Sequence, residues 1–251
     1  MIGILISTLS FVEKKQEDIP CRFINVKILD SLYNGFVTKE DVYKVIQNNH
    51  SGILGTPLSS INTRNLEKKI LVNRAIKTCD VYNTADGQLF VEIMQRQPVL
   101  RIMNARNETY YIDEEGYLIP FTSIKTPNIL IATGEIKENK RLDLKKHGHI
   151  NALNIDGKQN ILKDLHELSM YIYNDQFWRS QFVQIYVDKK GELELIPRVG
   201  AHIIILGNCE NFETKLKKLK TLYYKGFNTL GWNQYETINL KFKNQVICSK
   251  R

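Results

Sequence analysis

Residues 89–120 read LFVEIMQRQPVLRIMNARNETYYIDEEGYLIP, and the organisation of the chain turns on them. The stretch opens as a strand, with Phe90 and Ile93 among β-formers. That strand stops at Pro98, which has no N–H to give a sheet ladder. A second run, residues 109–112, reaches Asp113-Glu114-Glu115-Gly116 and resumes at Tyr117-Leu118-Ile119. Four turn-type residues ending in glycine, between two β-prone runs, predict a hairpin whose left-handed position falls to Gly116. Pro98 then divides a short mixed α/β unit from a second unit made mostly of strands.

Upstream of that boundary, residues 76–82 and 88–95 are two β segments joined through Asp86-Gly87, a strong hairpin signal. Asn62 is a helix cap, followed by Leu66, Ile70 and Leu71 on the apolar side. Thr38 and Asp41 form the T-x-x-D pattern of a capping box, and Val42, Val45 and Ile46 follow at helical spacing. Residues 23–29, FINVKIL, alternate as a strand does. The order is strand, helix, helix, strand, strand. The loop 51–60 carries Gly52, Gly55 and Pro57 but no following Lys-Ser/Thr pair, so it is no phosphate-binding loop.

The first twelve residues, MIGILISTLSFV, are apolar apart from Ser and Thr, and a polar run at 13–18 follows abruptly. A bilayer span needs roughly 20 apolar residues. A signal peptide needs a basic start and a small-residue cleavage site, which are not present. The expectation is the tail of a membrane anchor, with the run to Pro20 as linker; a buried N-terminal element is the alternative.

Beyond the central hairpin, residues 128–132 (NILIA) are β-prone and close on Gly134, whereas 137–146 are too polar for core. A long helix is expected over 157–181, with Ile161, Leu165, Leu168 and Ile172 on one face. Residues 182–187 and 193–196 flank Asp188-Lys189-Lys190-Gly191 as another hairpin, and 202–206 (HIIIL) read as a buried strand. Residues 211–227 form a helix with Phe212, Leu216, Leu219 and Tyr223 inward and the lysines mostly outward. A final strand is expected over 237–249.

The 251 residues are 43% hydrophobic and 25% charged, so the default is a folded protein rather than a disordered one. A net charge of +8 admits nucleic acid or an anionic membrane as partner. The densest basic cluster, 215–220, lies on the amphipathic helix, where a solvated face explains it, and nucleic-acid binding is not expected. Cys21, Cys79, Cys209 and Cys248 are far apart and make no C-x-x-C pair, which argues against zinc. Spacing leaves open whether they are free or paired.

Nothing in the chain argues for catalysis. Asp113, Glu114 and Glu115 form the tight acidic cluster in mid-chain, but a hairpin tip leaves them exposed, with no burial to raise a carboxylate pKa. His147-Gly-His149 offers half of a metal site without a third ligand, and His166 and His202 read as structural. The G-x-S-x-G, H-E-x-x-H and G-x-G-x-x-G patterns are missing, and no cofactor is expected. Trp178 and Trp232 read as packing aromatics because no RNA-recognition pattern surrounds them.

The order of elements, together with particular residues, resembles the bacterial cell-division family FtsQ/DivIB. The strand-helix-helix-strand-strand unit is similar to its POTRA domain. Residues 91–99, VEIMQRQPV, resemble the family's E-R-x-P-V strand end through Arg96, Pro98 and Val99, with Gln95 in place of Glu. YIDEEGYL at 111–118 resembles its V-D-x-x-G hairpin through Asp113 and Gly116. INLKFKNQV at 238–246 is similar to its terminal I-D-L-R-Y strand, with Asn239 for Asp, Lys241 for Arg and Phe242 for Tyr.

The resemblance implies an α+β chain: an anchor and linker at 1–22, a POTRA domain at 23–97, and at 98–251 a mostly antiparallel β domain with two packed helices. It implies a non-enzymatic divisome scaffold on the outer side of the cytoplasmic membrane, single-pass, binding FtsB- and FtsL-like partners and other divisome membrane proteins. Such a scaffold helps regulate septal peptidoglycan synthesis. The rival reading is a POTRA-type transport or chaperone module that handles envelope proteins by strand addition. Arg96, Pro98 and Val99 are expected at the domain junction. The partner-binding residues are expected to be Asn239, Leu240, Lys241, Phe242, Lys243, Asn244, Gln245 and Val246, on a last strand left as a sheet edge.

Overall fold

The computed structural model describes residues 19–30, 35–48, 52–122, 126–138, 148–153, 160–227 and 234–251. The apolar start, the polar run at 13–18, His147, Trp232, the polar stretch 139–146 and the expected helix start at Gly157 lie outside the described residues. Two compact units divide the chain: residues 1–96 with 122–126, and residues 97–121 with 127–251.

The first unit runs β1 (Phe23–Ile28), α1 (Lys39–Gln47), α2 (Thr63–Ile70), β2 (Ile76–Asn83) and β3 (Gln88–Gln95). Its sheet order is β1-β3-β2, with β3 in the centre, parallel to β1 and antiparallel to β2. Strand alternation sends Leu89, Val91 and Ile93 of β3 to one face, fully buried, and Val42 and Ile46 of α1 and Leu66 and Ile70 of α2 are buried as well. The helix starts are fixed locally. Thr38 Oγ1 accepts from Asp41 N at 3.2 Å while the Asp41 carboxylate accepts from Thr38 N at 3.0 Å, and Asn62 Oδ1 accepts from Asn65 N at 2.9 Å.

The second unit is one nine-stranded sheet in the order β12-β11-β10-β9-β8-β7-β4-β5-β6. Its strands are β4 (Pro98–Met103), β5 (Thr109–Asp113), β6 (Leu118–Pro120), β7 (Leu130–Gly134), β8 (Phe182–Val187), β9 (Leu193–Pro197), β10 (Ile203–Gly207), β11 (Tyr235–Asn239) and β12 (Ile247–Lys250). Most neighbours are antiparallel; β4 with β7, β7 with β8, and β10 with β11 are parallel. Three helices, α3 (Ile161–Asn174), α4 (Gln176–Gln181) and α5 (Phe212–Leu222), supply the opposing layer, and a π-helical turn, Tyr223–Phe227, extends α5. Leu100, Ile102, Tyr110, Ile112, Ala132, Ile185, Leu195, Ile204 and Ile238 form one buried cluster with Leu165, Leu168 and Leu216 of the helices. The chain is thus α+β, a small α/β-layered unit followed by a strand-rich one.

Several expectations change. Residues 98–103 form a full strand, because Pro98 occupies its first position, where the missing N–H costs nothing. The long helix is two helices: Asp175 takes an extended conformation (φ −100°, ψ 113°) and its carboxylate accepts from Phe177 N and Trp178 N, capping α4. Asp113 is not exposed but 2% accessible, since its Oδ1 folds back to accept from Glu115 N and Tyr117 N. Gly116 does take the left-handed place in that turn, at φ 86°. Lys215 turns inward from α5, unlike its neighbours; its Nζ donates to the Asn208 carbonyl at 2.7 Å, and burial lowers its pKa. His149 Nε2 meets the Glu115 carbonyl at 2.8 Å and His166 Nε2 meets that of Asp113 at 2.9 Å, so both brace the β5–β6 turn.

Candidate functional site

The expected final strand over 237–249 is a hairpin, and this changes what the end of the sheet offers. β11 pairs in parallel with β10, Ile203 opposite Thr237 and Ile205 opposite Asn239. The chain then leaves the sheet and returns as β12, antiparallel to β11, with Ile238 opposite Cys248 and Asn239 opposite Ile247. The departure is written in the sequence at Asn239. Its Oδ1 accepts from Lys241 N at 3.0 Å, an Asx turn that competes with continued pairing.

The eight expected partner-binding residues therefore fall on the end of β11 and the connection, not on an edge strand. Asn239 closes β11, half-buried. Leu240 is fully buried, its N–H bonded to the Ile205 carbonyl at 2.9 Å, which extends the parallel pairing one residue. Lys241 reaches across to Glu192, Nζ 2.6 Å from Oε1, while Lys243, Asn244 and Gln245 are exposed. Phe242 is 43% exposed. Val246 returns to pack against the core, as Cys248 does. Lys218 of α5 ties the connection down by donating to the carbonyls of Phe242 at 2.6 Å and Lys243 at 3.3 Å. An open depression of about 620 Å³ lies between α5 and the connection, with Lys215, Lys218, Lys241 and Lys243 on its walls.

The edge itself is Ile247, Cys248, Ser249 and Lys250. Among the described residues β12 is the last strand on its side of the sheet. Ile247, Ser249 and Lys250 are exposed. One side of an end strand directs alternate N–H and C=O groups away from its neighbour, a template for an added strand. The alternating run through Ser249 holds this signal, but reading it as continuous places the start of the edge at Asn239, eight residues before Ile247.

The opposite end of the sheet is different. Leu118 N of β6 donates to Gly148 O at 2.9 Å, Ile150 N donates to Gly116 O at 3.0 Å, and Tyr117 bridges to His149. Pro120, the last residue of β6, has no N–H. That end is guarded.

At the other expected site, Arg96 N donates to Ala75 O at 2.9 Å within the first unit. Pro98 pairs with Asp113 and Val99 is 1% exposed, both inside the second unit's sheet.

Comparison with known families adds two matches. Residues 19–94 match the POTRA-like domain, and residues 97–249 match the family described as FtsQ/DivIB, C-terminal related. No curated protein matches the chain. Both matched families are of non-catalytic scaffold domains, and together they support a role in cell division. The nine-stranded unit with its terminal hairpin, matched over nearly its whole length, makes this chain a member of the FtsQ/DivIB C-terminal-related family.

Proposed function

We propose that the chain is a non-enzymatic scaffold of the division machinery, acting on the outer side of the cytoplasmic membrane. Its second unit receives a segment of an FtsB- or FtsL-type partner as an added strand beside β12, and through that assembly it helps regulate septal peptidoglycan synthesis. The observation that carries this reading is the asymmetry of the sheet. β6 is covered by residues 148–150 and ends in Pro120, whereas β12 ends the sheet with exposed residues. Lysines beside the edge also protect against self-association, and Lys250 serves both purposes. No helix among the described residues is long and apolar enough to cross a membrane. The apolar residues 1–12 are proposed as the tail of a membrane anchor.

The test is site-specific photo-crosslinking in cells, with a photoreactive side chain at Ser249 and, as control, at Glu114 beside the guarded end. A crosslink to the co-encoded FtsB or FtsL homologue from Ser249 alone is expected. Equal crosslinking from both positions, or from neither, removes β12 from the interface.

A further inference from the structure

A second candidate site lies in the second unit, away from the terminal hairpin. Where β4, β7 and β8 begin, side by side and parallel, they meet the last turns of α3, and a cleft of about 160 Å³ opens between them. Its floor is apolar and buried: Leu130, Ile172 and Phe182 are each under one-tenth exposed. Its charged lining residues are Arg179 of α4 and Arg198, which follows β9, and no carboxylate lines the cleft.

Neither guanidinium has an ion-pair partner among the described residues. Each is held in place by uncharged groups instead. Arg198 Nε donates to the Ser180 carbonyl at 3.2 Å. Arg179 lies over the Tyr173 ring, 5.7 Å from its centroid. Two like charges fixed at one small opening repel each other and are stabilised by an anion placed between them. The guanidinium fork matches a carboxylate in geometry as well as charge.

The cleft thus combines an anion-binding rim with a shallow apolar floor, within the reach of a single residue. A polypeptide's last residue has that shape, since its carboxylate is one carbon from its side chain. A phospholipid carries its phosphate on a far longer apolar body than this volume holds. We propose that this cleft binds the free C-terminal carboxylate of a polypeptide whose last side chain is aliphatic or aromatic. Arg179 and Arg198 take the carboxylate and Leu130, Ile172 and Phe182 take the side chain. This site is independent of strand addition at β12.

The experiment titrates the 251-residue chain with two acetylated pentapeptides ending in leucine, one a free acid and one a C-terminal amide, by calorimetry. Both arginines are exposed, so Arg179→Gln and Arg198→Gln are expected to fold, with thermal midpoints as a check. The free acid is expected to bind at least about tenfold more tightly than the amide. Each substitution is expected to weaken it by about tenfold, and the double variant to abolish the preference for the free acid. Equal binding of acid and amide, binding unchanged in the double variant, or no binding at about millimolar peptide overturns the proposal. So does arginine-dependent binding to phosphatidylglycerol vesicles without peptide binding, which makes the site one for lipid.

Discussion

The Tyr110 phenol on β5 donates to Glu138 Oε1 at 2.5 Å, and both side chains are buried. Asn104 Nδ2 donates to the same carboxylate at 3.0 and 3.1 Å, and Arg106 Nη2 closes on Oε2 at 2.8 Å. A buried carboxylate is tolerated only with such a complete set of partners. Burial, reinforced by the neighbouring Glu138 charge, holds the Tyr110 pKa well above that of an ordinary phenol. Tyr110→Phe deletes a donor to a charged acceptor and is expected to cost about 1.5–3 kcal/mol in denaturant unfolding. The unfolded phenol loses its proton near pH 10 while the folded one keeps it, so the native state binds more protons there. Stability should fall as pH rises past about 10, and less steeply in Tyr110→Phe.

Gln95 closes β3 by an arrangement that a carboxylate does not reproduce. Its Oε1 accepts from the N–H groups of Phe36 and Val37, both at 2.9 Å, while its own N–H lies 3.2 Å from the Asp30 carboxylate. Gln95→Leu strands two buried amides and is expected to cost about 2 kcal/mol or more. Gln95→Glu keeps the acceptor but sets a second negative charge where Nε2 now donates to Asp30 Oδ1 at 3.3 Å. Its loss should shrink as pH is lowered through the carboxylate range, which equilibrium unfolding at pH 4 and 7 would show.

The capping box at α1 predicts an acid-side effect. Bonds from the Thr38 backbone and hydroxyl hold the Asp41 carboxyl below the usual carboxylate range. Its stabilisation is present above about pH 3.9 and is lost as pH falls toward the lower folded value. Thr38→Ala should cost about 0.5–2 kcal/mol and return the Asp41 titration, followed by carbon-detected NMR, toward the ordinary value.

Much of this architecture was legible in the sequence because short-range chemistry writes it. The Thr38–Asp41 box, the Asn62 cap, the Asp86-Gly87 hairpin and the Gly116 turn each depend on a few adjacent residues, and each sits where the pattern predicted. What was missed depends on contacts that spacing does not encode. β3 does end before Pro98, at Gln95, but that local reading does not show that Pro98 opens β4, at a first position where proline opposes nothing. Asp175 is an ordinary polar residue in the pattern of a long helix, and its capping bonds to Phe177 and Trp178 end one helix and start another. At the candidate site, the alternation of Ile238 and Leu240 was real, but only the register of β12 on β11 shows that the chain turns back. The Arg179–Arg198 cleft joins elements that are distant in sequence, so no local motif announces it.

The thiols give a fourth prediction. Burial, with Glu67 and Asp80 nearby, pushes Cys79 up to about 12, and burial with Asp164 and Glu167 does the same to Cys209. Thiolate is the reactive form, so at pH 8 neither should react appreciably with a disulfide reagent in the folded chain, while both react in denaturant. Fast labelling of Cys79 under native conditions would contradict the packing of β2 against α2. The unfolded thiols ionise near pH 8.5–9 and the folded ones only near 12, so stability should decline with rising pH in that interval. Cys79→Ala should reduce the slope.

β7 joins two blocks that build themselves. Residues 98–120 form a meander of near neighbours, β4-β5-β6, and residues 182–207 form another, β8-β9-β10. β7 lies between them, parallel to both, with Leu130 opposite Leu100 on one side and Ile131 opposite Gln184 on the other. Each meander closes short loops, which is fast, whereas each β7 ladder has to close a long one before any contact repays the lost chain entropy. The slow steps of folding in this unit are therefore expected at its parallel ladders, the two of β7 and that of β10 with β11. Until β7 seats, both meanders expose raw edges, and that interval is when a newly made chain is most prone to aggregate.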